Sequence, residues 1–137
     1  AETLGHFQEM TTYRQLAKQV EQTCADLRGL VAREAETGRR IVGYGASAKG
    51  NTLLNRCPLP LDYIVDDNSL KHGYLTPGQN IPIRPTTELI SEPRPLCLVL
   101  LAWNFADEIL ANVRRLRPAC KDTAVFYVPC VHAVPIQ

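Results

Sequence analysis

The chain has 137 residues, with 15 Lys+Arg against 14 Asp+Glu and a formal net charge of +1, a balance that points to neither nucleic acid nor an anionic membrane as partner. The length suits one domain around one packed core and leaves no room for a multidomain enzyme within these residues. The longest apolar run, residues 96–103, is far short of a membrane span, and the opening AETLGHFQEM lacks a secretory layout, so a soluble, cytoplasmic chain is expected.

Between residues 11 and 36, Tyr13, Leu16, Val20, Cys24, Leu27 and Leu30 or Val31 recur at the spacing of one helical face, which predicts a long amphipathic helix ending near Gly38. Residues 40–44 read as a strand, and 47–55 as a helix that Cys57-Pro58 cannot continue. Residues 61–65 form a second predicted strand, ending in Asp66-Asp67-Asn68. The stretch from there to Pro85 is rich in turn formers, with a β-turn at Thr76-Pro77-Gly78-Gln79 and a short strand at Ile81-Pro82-Ile83. A short helix is expected at 86–91, a continuously apolar strand at 96–102, a helix at 105–116 and a strand at 123–128. This alternation predicts an α/β domain with a mainly parallel sheet of about five strands flanked by helices. It divides into a helical segment 1–38, an α/β core 39–130 and a tail 131–137, and offers too few strands for two mononucleotide-binding halves.

Five cysteines, Cys24, Cys57, Cys97, Cys120 and Cys130, lie far apart without CxxC or zinc-finger spacing, so no metal site is expected and the thiols read as reduced and mostly buried. The histidines, His6, His72 and His132, fall at a frayed end, in a polar loop and in the tail, and make no site. Arg114, Arg115 and Arg117 read as a solvated basic end of a helix.

The informative stretch is RIVGYGASAKG, residues 40–50. Gly43-x-Gly45-x-x-Ala48 follows a predicted strand and opens a predicted helix, the layout of a dinucleotide turn. Gly45 would admit a pyrophosphate close to the backbone, and small Ala48 would let the helix pack tightly. Asp66 or Asp67, about 20 positions later, could hold a ribose hydroxyl. The order is not that of a phosphate-binding P-loop, because Lys49 precedes Gly50 and Asn51 follows. A close strand-to-helix turn with no ligand is the alternative.

The longer string, residues 43–55 (GYGASAKGNTLLN), resembles the C-terminal domain of the S-adenosylmethionine-dependent sugar C-methyltransferases. The likeness continues through Asp62-Tyr63-Ile64-Val65-Asp66-Asp67-Asn68, Lys71-His72-Gly73, Thr76-Pro77-Gly78 and residues 100–109 (LLAWNFADEI). The resemblance implies a Rossmann-like domain that binds a nucleotide-linked deoxysugar and completes the cleft of a larger enzyme. S-adenosylmethionine and zinc would be bound by preceding domains, so the chain alone should carry no cofactor and no catalytic residue. Its partners would be the nucleotide-sugar and the preceding methyl-donor domain. The start at Ala1 suggests an excised domain.

By the same resemblance, Gly43, Tyr44, Gly45, Ala46, Ser47, Lys49 and Asn51 would lie at the phosphates or the sugar. Asp66 and Asp67 would accept from hydroxyls, or cap the next turn. Tyr74 and the Pro77-Gly78 loop would cover the ligand, or simply be exposed. Trp103 would stack on a base, and Asn104 would orient a hydroxyl or, as the favoured role, cap the following helix. The competing reading is a free-standing regulatory domain for NAD or another nucleotide, distinguished by preference for an adenine dinucleotide over a thymidine-type sugar nucleotide. A third is a scaffold whose first helix mediates protein contact.

Overall fold

Strand β4 (Leu96–Leu100, LCLVL) is buried at every residue, as a run with no polar break must be when both sheet faces are covered. It pairs in parallel with β1 (Arg40–Tyr44) on one side and with β5 (Asp122–Phe126) on the other. Beyond β1 lie β2 (Tyr63–Asp66) and β3 (Ile83–Pro85), also parallel. The opposite edge is β6 (His132–Ile136), antiparallel to β5. The computed structural model describes residues 2–128 and 130–136, with side chains from Thr12 onward. The six strands run β3-β2-β1-β4-β5-β6.

Side chains alternate between two core layers. Ile41, Cys97 and Val99 point toward α1 (Glu2–Glu36) and α2 (Ala48–Arg56), joining Leu27, Val31 and Leu54. Val42, Tyr44, Leu96, Leu98 and Leu100 point the other way, toward α3 (Ala106–Leu116) and the 3-10 turn Thr86–Ser91, joining Ile109, Val113 and Leu89. A mixed α/β architecture with helices flanking a mostly parallel sheet is therefore observed, as the alternation predicts.

Several expectations need correction. The segment 131–137, expected as a tail, forms β6 over His132–Ile136, which raises the strand count to six. It pairs antiparallel with the strand just before it, His132 with Phe126, Ala133 with Val125 and Val134 with Ala124, and the proline within the run hides it from a reading of local pattern. The strand order is that of doubly wound dinucleotide folds, although two full halves were not expected. The first helix, Glu2–Glu36, fills the expected helical segment 1–38 and spans about 52 Å at 1.5 Å per residue. Its later turns are rooted in the core through Cys24, Leu27 and Val31. The earlier members of the same face, Tyr13 and Leu16, are 75% and 55% exposed.

Arg117 is not part of a solvated helix end. It is 5% exposed, and its guanidinium donates to Asp122 at 2.7 and 3.1 Å and to the carbonyls of Leu89, Glu92 and Arg94 at 2.6, 2.8 and 2.9 Å. The buried charge is thereby paired, and three loop carbonyls are satisfied at once. Asp122 Oδ1 also accepts from Leu96 N at 2.9 Å, tying this knot to the start of β4.

Candidate functional site

The glycine turn is built by close approach. Gly45 has φ +98°, and a Cβ there would come within 2.5 Å of the Ala102 Cβ, so only glycine lets the chain leave β1 beside the end of β4. The contact that brings α2 onto the sheet belongs to Gly50, where a Cβ would meet the Leu101 Cβ at 2.7 Å. This corrects the role expected of Ala48, which is exposed. Ser47 is the N-cap of α2; its Oγ accepts from Gly50 N at 3.1 Å.

Because β2 and β4 flank β1 on opposite sides, the chain reverses direction across the sheet at β1, and ligands in open α/β sheets lodge beyond strand ends at such a point. A cleft of about 270 Å³ opens there. Of the expected site residues it brings together Tyr44, Gly45, Ser47, Asp66 and Asp67. Its other walls are Lys71, Ala102, Phe105, Glu108 and Ile109, none of which was expected at the site. A groove of about 320 Å³ between α1 and β6 gathers Asp26, Arg33 and His132, but it lies away from the ends of the parallel strands.

Asp66 occupies the centre of the hydrogen-bond scheme. Its Oδ2 accepts from Ala46 N at 2.7 Å, and its Oδ1 from Asn68 N at 2.8 Å. The 3-10 turn Ser69–Lys71, capped by Asn68, swings Lys71 back over the glycine turn. Lys71 Nζ then donates to Ala46 O at 2.8 Å and stands 3.8 Å from Asp66 Oδ2. His72 Nε2 lies 2.6 Å from Asp66 O. Beside them, Asp67 accepts from Thr86 Oγ1 at 3.0 Å and from the Tyr44 hydroxyl at 3.4 Å, and that hydroxyl accepts from Asn112 Nδ2 at 2.7 Å. Burial, and then the charges of Asp67 and Asp66, push the Tyr44 phenol up to about 12 against the lowering effect of the Asn112 bond, so Tyr44 stays a protonated donor at neutral pH.

The remaining expected residues lie elsewhere. Gly43 is buried within β1. Ala46 and Asn51 line a second cavity of about 60 Å³ on the other side of the turn, with Thr76 and Pro77, and Asn51 Oδ1 is buried there without a hydrogen-bond partner among the described residues. Lys49 stands exposed on the first turn of α2 and lines neither cavity. Tyr74 is 68% exposed and also lines neither. The Pro77-Gly78 loop packs on α2, where a Cβ at Gly78 would meet Asn55 Oδ1 at 2.2 Å. Trp103 and Asn104 belong to a 3-10 turn, Trp103–Phe105, of which only Phe105 reaches the cleft, where it joins Tyr44. Asn104 does not cap α3, whose N-cap is Phe105 with no side-chain bond. The inserted turn delays the helix by one residue and carries Asn104 out of register. The side chain of His6 lies outside the described residues.

Chemically the cleft offers acceptors at Asp66, Asp67 and Glu108, donors at Ser47 and Lys71, and apolar surface at Ala102, Phe105 and Ile109. Neither cysteine nor histidine lines it. Burial pushes the thiols of Cys57 and Cys97 up to about 11 and about 12, so both remain protonated core groups. Among the described residues no three His, Cys, Asp or Glu side chains group as metal ligands, and no helix is long and apolar enough to cross a membrane.

Comparison with known proteins adds to this geometry. The model of the C-methyltransferase C-terminal domain matches residues 1–129. A curated relative, C-methyltransferase NovU of Streptomyces niveus, is 38% identical over 103 residues, covering 73% of this chain and 24% of the relative. The chain thus spans about a quarter of the length of that relative.

Proposed function

The chain belongs to the C-methyltransferase C-terminal domain family, and we propose that its part in such an enzyme is to hold a nucleotide-linked deoxysugar. The observation that carries this reading is the cleft at the β1/β4 switch point, where three carboxylates and the Ser47 hydroxyl converge beside the start of α2. The sugar ring enters the cleft and donates hydroxyls to Asp67 and Glu108, with Phe105 against its apolar face. The diphosphate lies further out along the first turn of α2. No acidic residue stands in that turn; Lys49 does, and the helix's opening amides point toward an anion. Preceding domains of a cytoplasmic parent enzyme supply S-adenosylmethionine and zinc, remove the proton and transfer the methyl group. This domain closes their cleft.

In the complete methyltransferase, Lys49→Ala should raise the KM for nucleotide-sugar by roughly ten- to a hundredfold, the loss of one charge-assisted hydrogen bond. The melting temperature and donor affinity should stay unchanged. An unchanged KM would return Lys49 to the solvent. Calorimetric titration of the 137-residue chain with S-adenosylmethionine should give no heat of binding, whereas micromolar affinity would reassign the glycine turn to the donor. A free-standing dinucleotide domain has less support, because the Ala46 amide is already bonded to Asp66.

A further inference from the structure

The glycine turn has the spacing of a dinucleotide fingerprint, but its anion seat is filled from within the chain. In that fingerprint the acidic residue ending the second strand receives ribose hydroxyls, and the turn's amides are left to the pyrophosphate. Here both oxygens of Asp66 are turned inward, one onto Ala46 N at 2.7 Å and the other onto Asn68 N at 2.8 Å. Lys71 clamps the neighbouring carbonyl, Ala46 O, at 2.8 Å, so residue 46 is held on both its N–H and its C=O. The Asp66 side chain is 14% exposed, and Lys71 Nζ stands 3.8 Å from its Oδ2, so it has little freedom to swing away. A phosphate approaching Ala46 N would compete for the same proton with a carboxylate already in place, and like charges in one seat disfavour each other.

We propose that Asp66 is a specificity-determining residue of this cleft. Its carboxylate stands where a dinucleotide's pyrophosphate would bind the glycine turn, so the chain refuses adenine dinucleotides, and any phosphate it accepts lies beyond Ser47 along α2. The assignment concerns the geometry of phosphate recognition and does not depend on the sugar or on methyl transfer.

The test uses the 15N-labelled 137-residue chain, titrated separately with inorganic pyrophosphate and with NAD. In the wild type the Ala46 and Asn68 amide signals should not move in a saturable way. In Asp66→Ala the Ala46 amide should shift saturably, with affinity for both probes raised at least tenfold. Asp66→Asn keeps one acceptor and loses the charge, so a smaller gain is expected. A saturable Ala46 shift in the wild type overturns the proposal, as does a cooperatively melting Asp66→Ala chain with unchanged affinity. Should Asp66→Ala lose cooperative melting, the wild-type Ala46 amide and the Asp66→Asn affinity decide: a static amide with tighter pyrophosphate binding upholds the assignment, and any other pair of results refutes it. Nucleotide-sugar affinity in the complete enzyme is a separate measurement, so failure of either reading can be told from failure of the other.

Discussion

Helices α2 and α3 both start at the cleft, yet they are fixed at opposite ends. α2 is held where it begins: Gly45 and Gly50 bring its first turn against Leu101 and Ala102, and Ser47 caps it. α3 is held where it finishes, by the buried guanidinium of Arg117 on Asp122 and three carbonyls. Its cleft end has no side-chain cap and is reached through a 3-10 turn with Phe105 53% exposed. Their electrostatics differ in the same sense. α3 carries Asp107 and Glu108 in its first turn and so satisfies its own dipole, whereas α2 carries no acid there. The α2 wall is capped and has no acid in its first turn; the α3 wall is uncapped and acidic.

The contrast can be broken most forcefully at the far end of α3. Arg117→Met leaves Asp122 buried and unpaired, with an expected loss of about 3–5 kcal/mol in urea denaturation. A loss below about 1 kcal/mol would mean that α3 is not anchored there. Next comes the near end of α2, where Gly45→Ala combines a strained φ with a Cβ clash and should cost about 3 kcal/mol. The finest comparison sets the two N-termini side by side. Ser47→Ala should cost about 1 kcal/mol, while Asn104→Ala should stay within about 0.5 kcal/mol, because Asn104 caps nothing. Equal losses at the two positions would erase the distinction.

The same contrast explains what the sequence makes legible. The β1–turn–α2 unit is built from contacts local in sequence, and its glycines, N-cap serine and apolar run state it directly. Even there the close-packing residue is Gly50, two places beyond the fingerprint's Ala48, since which small residue faces Leu101 depends on how α2 is tilted. The cleft lysine is Lys71 because a 3-10 turn folds it back onto Ala46, whereas Lys49, though nearer the glycines in sequence, points outward. The inclusion of Lys71-His72-Gly73 in the family-like blocks was the one available signal. The burial of Arg117 is hidden in the sequence for the reason that makes it important: a charged residue at a helix end looks solvated until Asp122 and three distant carbonyls are known to surround it. Phe105 and Glu108 could have been found by placing the first turn after the most apolar strand at the sheet's ligand-binding end.

Both margins of the sheet carry proline. β3 has three residues and closes with Pro85, and β6 has Pro135 as its fourth residue. Proline has no N–H to offer another strand, and short or proline-bearing edges are how open sheets avoid edge-to-edge association. Each margin therefore offers an added strand one donor fewer.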